Sequence, residues 1–296
     1  LRPSLGLPEA KVLKLDHQMA LHPAMTGVAE LFRQGKVAII RNVGYANPNR
    51  SHFRSMDIWQ SAAPETFGKT GWIGRHFDGQ SAHGKLSPIV ALGLSTEKPL
   101  ALVGNQASIP CFASLTDVKQ MVGDPDTERM LREIQGMDAM QGSSTRVVQQ
   151  ASKTALDAMD MLNKQLSGYK ASEAYGNDPF GQGFKQIAQL VATSPTTRVV
   201  YFSTGGFDTH ARQLEAHEKL LGNFSNALTT FMKEVDTLGK ADKVVVVVFS
   251  EFGRRCYENA SGGTDHGAAA PMFVTAEGSG MLVRVESKKA LAPMLT

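Results

Sequence analysis

Five side chains able to ligate a metal fall in three short segments of this chain: Asp208 with His210, Glu251, and Asp265 with His266. Asp208 and His210 are two positions apart, so in an extended segment both project to one side. A carboxylate beside a neutral imidazole is an ordinary donor pair for zinc or manganese. An Asp-x-His in a loop also commonly makes only a side-chain hydrogen bond, and the pair alone decides nothing. Glu251 follows the apolar run Val244 to Phe249, a place where an uncompensated buried carboxylate is costly. Either Arg254 or Arg255, three and four positions on, neutralises it, or a metal does and the arginines are left to hold an anionic substrate. Asp265 and His266 lie among Gly262, Gly263 and Gly267, a composition that lets backbone approach a ligand closely. Three carboxylates converging without a cation would repel and stay partly protonated. The favoured expectation is therefore a divalent metal, zinc first, with manganese or calcium as alternatives, held by Asp208, His210, Glu251, Asp265 and His266.

A second cluster, Arg50-Ser51-His52, stands where an apolar stretch ends in the turn-rich Gly44-Tyr45-Ala46-Asn47-Pro48-Asn49. Strand, loop and helix N-terminus together favour an anion, because free backbone N–H groups and the helix dipole point at it. Ser51 reads either as the N-cap of the helix that follows or as a nucleophile activated by a metal. Arg50 would then meet a phosphate or sulfate oxygen, with His52, Arg254 and Arg255 completing the substrate-binding set. The other histidines, His17, His22, His76, His83 and His217, read as surface or capping residues.

The elements that must position these groups are legible as a β-α-β rhythm. Val37 to Val43, Pro88 to Leu94, Leu100 to Val103, Arg198 to Phe202 and Lys243 to Phe249 read as strands; Ser51 to Trp59 and Leu214 to Leu238 read as helices. The valine run suits a central parallel strand covered on both faces, reached by a right-handed crossover. Between about 115 and 175 the texture is helical, with methionines (Met121, Met130, Met137, Met140, Met159, Met161) that read as core filler. The loop Tyr175 to Gly181 closes that block. Fold class is thus α/β: one domain spanning 1–296, a three-layer sandwich with a mostly parallel central sheet and a helical insertion at about 115–175.

Composition narrows the function classes. The chain has 296 residues, 42% hydrophobic and 20% charged, ordinary proportions for a globular protein. Net charge is +3 with Lys and Arg scattered, so no basic stripe tracks a phosphate backbone and nucleic acid is not an expected partner. The longest apolar run falls far short of the roughly 20 residues of a spanning helix, and no membrane span is expected. Cys111 and Cys256 permit one disulfide without requiring it. The helical block offers a surface for a protein partner.

Four motifs together resemble the DUF1501 family: Asn47-Pro48-Asn49-Arg50-Ser51-His52-Phe53, Gly206-Phe207-Asp208-Thr209-His210, Ser250-Glu251-Phe252-Gly253-Arg254 and Gly262-Gly263-Thr264-Asp265-His266-Gly267. The similarity runs from Leu1 to about Val274. It implies a fold similar to the alkaline phosphatase and sulfatase superfamily, in which a residue at a helix N-terminus attacks phosphorus or sulfur and Asp and His at strand ends hold divalent metals. It also implies export by the twin-arginine pathway to the periplasm or cell exterior. By that analogy Asp208 and His210 match one ligand loop, His266 matches the last His ligand, and Phe252 stands where a second His would follow Glu251. Family members usually open with an apolar strand ending in Gly-Gly-x-Asp-Gly; nothing here precedes Leu1, so an N-terminal strand is expected to be missing, and the tail after Gly278 has no evident closing strand and helix. The expected function is metal-dependent hydrolysis of a phosphate or sulfate ester, on a small-molecule or polymer substrate; the alternative is a non-catalytic binding or scaffold protein that keeps the fold.

Overall fold

The computed structural model describes residues 1–116, 118, 124–138 and 144–276. Their contacts divide the chain into two compact units, the first made of Leu1–Met56, Ser172–Lys185 and Gly205–Thr296 and the second of Asp57–Ala171 and Gln186–Thr204. In chain order the strands are β1 (Leu13–Lys14), β2 (Ala20–Leu21), β3 (Val37–Val43), β4 (Ala91–Leu94), β5 (Cys111–Phe112), β6 (Val199–Phe202), β7 (Val245–Val248) and β8 (Ala270–Ala276). The helices are α1 (Thr26–Arg33), α2 (His52–Ser61), α3 (Trp72–Ser81), α4 (Pro125–Gly136), α5 (Ser144–Gln165), α6 (Pro179–Thr193) and α7 (Gln213–Thr237). No helix among the described residues is long and apolar enough to cross a membrane.

The first unit is organised by α7. Phe224, Ala227, Leu228, Phe231, Met232 and Val235 are buried along one face, the three- and four-residue spacing of an amphipathic helix. Across it packs α1, where a Cβ on Gly27 would fall 2.2 Å from the Thr229 hydroxyl, and the buried Ser225 hydroxyl accepts from the Val28 N–H at 3.2 Å. Phe180, Phe207, Phe224 and Phe273 join in edge-on and tilted ring contacts of 5.8–6.1 Å. Helix α7 stops where Gly239 takes φ +64° and the N–H of Lys240 returns to the carbonyl of Val235, a left-handed cap that satisfies end carbonyls. The buried carboxylate of Glu234 accepts from the Ser172 N–H and hydroxyl and from the Glu173 N–H.

The sheet of this unit has the order β3-β8-β7 and is antiparallel throughout. That corrects the reading of the valine run. β7 pairs with β8 and with no other described strand, and Val245 and Val247 are 62% and 50% exposed, so among the described residues it is an edge strand with one open face. A run of identical β-branched residues reports strand propensity but not which neighbours cover it. The central strand is β8, which carries no such run and escaped the sequence reading.

The second unit holds the parallel sheet, with order β5-β4-β6. All four residues of β4 are buried. Leu92 and Leu94 face a cluster with Phe112, Ala158, Leu162 and Leu190, while Ala91 faces Ile73, Phe77, Ala101 and Leu102, which is what a central strand covered on both faces requires. The expected strand Leu100 to Val103 is instead a 3₁₀ turn over Leu100–Leu102 led by Pro99; Ala101 and Leu102 are fully buried, so most of the apolar stretch fills core, and Val103 alone makes a single antiparallel bridge, to Ser108. The helical block contains α4 and α5, and helices α3 and α6 join the fold where the sequence reading placed none. Of the methionines, Met159 is buried but Met130 and Met137 are exposed, since α4 buries none of its residues; Met121 and Met140 lie outside the described residues. The tail after Gly278 also lies outside them. Cys111 and Cys256 are free thiols.

Asp78, in α3, accepts the N–H groups of Asn105, Gln106 and Ala107 at 2.7–2.8 Å. Partial burial alone would raise its pKa, and these three donors outweigh burial and hold it below the ordinary carboxylate value. A depressed pKa contributes stability that is present above the unfolded-state value near 4 and lost as pH falls through the folded one. Asp78→Ala is expected to lower unfolding free energy by about 2 kcal/mol at pH 7. In urea titrations the gap to the parent should shrink below about pH 4; a gap that stays constant with pH would contradict this account.

Candidate metal centre

The site lies wholly within the first unit and is assembled from three loops. The loop after β3 is held by the Tyr45 hydroxyl, which accepts the Asn49 N–H at 3.0 Å and lies 2.8 Å from the buried Ser55 hydroxyl. Ser55 in turn donates to the carbonyl of Glu251 at 2.8 Å, tying α2 to the end of β7. The loop after Gly206 turns tightly, with the N–H groups of Thr209 and His210 returning to the carbonyls of Phe207 and Asp208. The third loop folds back on the second: a Cβ on Gly263 would lie 2.2 Å from the His210 carbonyl carbon, so only glycine fits. Gly263 thus serves close backbone approach, while Gly262 takes a left-handed φ of +65°.

At the centre is Asp208. Its Oδ1 is 2.9 Å from His210 Nε2 and 2.9 Å from His266 Nε2, and its Oδ2 is 3.3 Å from His52 Nε2. Each imidazole is anchored at its other nitrogen. His52 Nδ1 donates to Glu251 Oε1 at 2.7 Å, His210 Nδ1 to Asp265 Oδ1 at 3.1 Å, and His266 Nδ1 to the Arg50 carbonyl at 2.7 Å. A carboxylate or carbonyl can only accept, so each Nδ1 carries a proton; a ring that is neutral then turns an Nε2 lone pair inward, whereas a ring that also donates Nε2–H to the Asp208 carboxylate is a cation. Two such lone pairs, on His210 and His266, face each other at 2.8 Å, a repulsive arrangement unless a proton or cation lies between them. His52 Nε2 is shielded from solvent and, among the described residues, makes no hydrogen bond, while facing Asp208 Oδ2 at 3.3 Å.

His52, Asp208 and His266 present donor atoms all within 4.8 Å of one another, and His210 adjoins two of the three. Zinc–nitrogen bonds of about 2.0 Å in a tetrahedron put neighbouring donors roughly 3.3 Å apart, and the distances given above approach that spacing. Three imidazoles and one carboxylate could hold a metal of borderline softness; calcium prefers an all-oxygen set.

The five residues expected as ligands divide in two. Asp208, His210 and His266 supply inward donors. Glu251 and Asp265 instead stand one layer out, each orienting a histidine. His52, read as a substrate residue, turns its Nε2 to Asp208. Arg254 is committed to the site's own framework: it donates to Asp208 Oδ1 at 2.6 Å and to the carbonyls of Phe207 and Thr264 at 2.7 Å each. Of the two expected partners of Glu251, Arg254 meets Asp208, and Glu251 itself meets His52. Arg255 is exposed, Arg50 contributes its carbonyl, and Ser51 is exposed with its N–H on Asn49 Oδ1 at 2.8 Å.

Phe252 has a role the sequence reading missed. It is buried, stacks on His266 at 4.4 Å between ring centroids and lies 4.9 Å from His52, packing two imidazoles into fixed planes. Asn259 also escaped notice: its side chain donates to the His210 carbonyl and Asp265 Oδ1 and accepts the N–H groups of Ser261 and Gly263. An Asn three residues before a Gly-Gly pair was the only available signal.

Electrostatics follow from this geometry. Partial burial raises the pKa of Asp208, but hydrogen bonds from His266 and Arg254, with the charges of Arg254 and His210, overcome it and hold the carboxyl far below the usual range. Asp265 is lowered too, chiefly by the Asn259 amide and then by His210. Both carboxylates are ionised across the physiological range.

The family model described as Protein of unknown function (DUF1501) matches residues 7–280. No curated protein and no solved structure matches the chain. The histidines and carboxylates of the three loops all fall inside that match, and the chain belongs to the DUF1501 family.

Proposed function

We propose that this chain is a metal-dependent hydrolase of phosphate or sulfate esters, related in fold to the alkaline phosphatase and sulfatase superfamily and exported from the cytoplasm. One observation carries the reading: three histidines, each with Nδ1–H tied to an acceptor, turn their Nε2 atoms on one ionised carboxylate. Side chains arranged this way without a cation would leave a buried nitrogen orphaned and two lone pairs opposed. Zinc fits the donor set best, held by His52, His210, His266 and Asp208.

A bound zinc would supply Lewis-acid stabilisation of negative charge on the transferring group. The protein's own groups do the rest. Glu251, Asp265 and the Arg50 carbonyl keep the three rings in the tautomer that faces inward. Phe252 fixes two ring planes. Ser51 directly precedes His52 at the start of α2, where first-turn N–H groups lack intrahelical acceptors and favour an anion; its hydroxyl is the nucleophile in this reading. The exposed Arg50 and Arg255 guanidiniums suit phosphate or sulfate oxygens.

A second reading, a non-catalytic scaffold that keeps the fold, is favoured by one contact. Arg254 already lies on Asp208 Oδ1, so a cation of the protein's own neutralises the central carboxylate.

Elemental analysis of protein purified without chelator separates the two. About one zinc per chain is expected, absent from a His52→Ala, Asp208→Ala double variant; no metal in either protein overturns the hydrolase reading. Glu251→Gln should bind zinc about 10- to 100-fold more weakly in a chelator competition, because the ring it orients loses its anionic partner. Unchanged affinity would remove Glu251 from the assembly. Ser51→Ala should lose ester hydrolysis by about a thousandfold or more with zinc content intact; full activity would transfer the attack from Ser51 to water.

A further inference from the structure

The first unit contains a cavity of about 250 Å³ between its N-terminal segment and the start of α7. Its walls are aliphatic: Leu5, Leu7, Val12 and Leu21 from the N-terminal segment, Leu214 and Leu221 from the helix. Leu214 is 47% exposed, so the cavity opens to solvent with its apolar lining unshielded, an arrangement that favours an apolar occupant. The polar groups on the same wall are Arg2, His22, His217 and Gln213. Each is a donor or a cation, and among the described residues no carboxylate lines the cavity.

These groups are fixed in place. Arg2 gives Nε and Nη2 to the carbonyls of Cys256 and Arg255 at 3.1 and 2.8 Å, and Nη1 makes no hydrogen bond among the described residues. His22 accepts the Ala24 N–H on Nδ1 at 3.1 Å, which leaves the proton of the neutral ring on Nε2. Gln213, almost fully buried, accepts the Thr264 hydroxyl at 2.6 Å. His217 stands edge-on to Phe207 at 5.9 Å. Burial, and then the nearby charges of His22, Arg2 and Arg254, push the pKa of His217 down. The polar end of the cavity is therefore a set of donors around the Arg2 guanidinium, with no carboxylate among its lining residues.

We infer that this cavity binds an unbranched aliphatic carboxylate, its chain among the leucines and its carboxylate at the Arg2 and histidine end. A plain hydrocarbon would leave the Arg2 guanidinium and the donors beside it facing an apolar ligand, and a compact inorganic anion would leave the leucine walls wet. The inference is independent of the metal proposal, since none of the inward-facing donors lines the cavity.

Calorimetric titration of the full chain with butanoate, hexanoate and octanoate at pH 7.5 tests it. Affinity should rise about three- to fourfold per added methylene, the increment of burying one CH₂ group, with one site per chain. Octan-1-ol, which has the chain without the charge, should bind at least about tenfold more weakly than octanoate. Leu221→Trp, which fills the cavity, should abolish octanoate binding while its thermal unfolding midpoint stays near that of the parent. Arg2→Gln should weaken octanoate about tenfold and leave octan-1-ol unchanged. The inference is overturned if octanoate shows no binding, if affinity is flat with chain length, if octan-1-ol binds as well as octanoate, or if folded Leu221→Trp binds like the parent. Octanoate should bind chelator-treated protein as well, and the metal content measured beforehand reports on the zinc proposal separately.

Discussion

Everything in the first unit converges on the ionisation of Asp208. A carboxylate that accepts from Arg254 and faces three imidazoles cannot be protonated without releasing all of them, and burial alone would drive it in that direction. The surrounding loops are built to prevent this. Arg254 does not simply neutralise Asp208: the same guanidinium holds the carbonyls of Phe207 and Thr264, so the charge that keeps Asp208 ionised also closes two loops against each other. Electrostatics and loop geometry are here one constraint, and the position of each histidine follows from it.

The outer layer obeys the same logic at one remove. Glu251, Asp265 and the Arg50 carbonyl come from three different segments, yet each accepts from an Nδ1 atom. What the protein controls by this is tautomer, since a neutral imidazole offers either nitrogen and only an acceptor on one side commits the lone pair to the other. Phe252 controls ring planes by stacking. The residue that interrupts an expected ligand pair is thus part of how the neighbouring imidazoles are held, and its presence does not by itself argue for a degraded site.

How much of this the sequence disclosed depends on what each residue's role rests on. Asp208, His210 and His266 were legible as inward donors because their type and loop setting suffice. Glu251 was legible as a charged group needing a partner but not as one that orients His52, because that partner lies 199 positions away and linear spacing is silent about it. His52 shows the converse: it belonged to the right cluster, and its assignment to substrate came from its neighbours Arg50 and Ser51. The same limit separates strands from sheets. Val37 to Val43 was read correctly as a strand, and the valine run was too, but edge or centre is set by pairing partners. Leu100 to Val103 was apolar enough for a strand, and Pro99 with the need to bury Ala101 and Leu102 turned it into a 3₁₀ turn.

The N-terminal segment links the cavity and the loops around Asp208. Arg2 holds the carbonyls of Arg255 and Cys256, while Glu258 accepts the N–H groups of Ser4 and Leu5 and the Ser4 hydroxyl. Those contacts join residues 2–5 to the loop that carries Asp265 and His266. Gln213 makes the same connection from the helix side, since Thr264, whose hydroxyl it accepts, gives its carbonyl to Arg254. A ligand seated among Leu5, Leu7 and Leu214 would therefore press on the segments that fix Arg254, and through Arg254 on Asp208. Coupling of this kind needs no large motion: the bonds from Arg254 to Asp208 and the Phe207 carbonyl are short and directional, and hydrogen bonds weaken steeply as their angle closes. The apolar cavity and the polar centre are in that sense two faces of one wall.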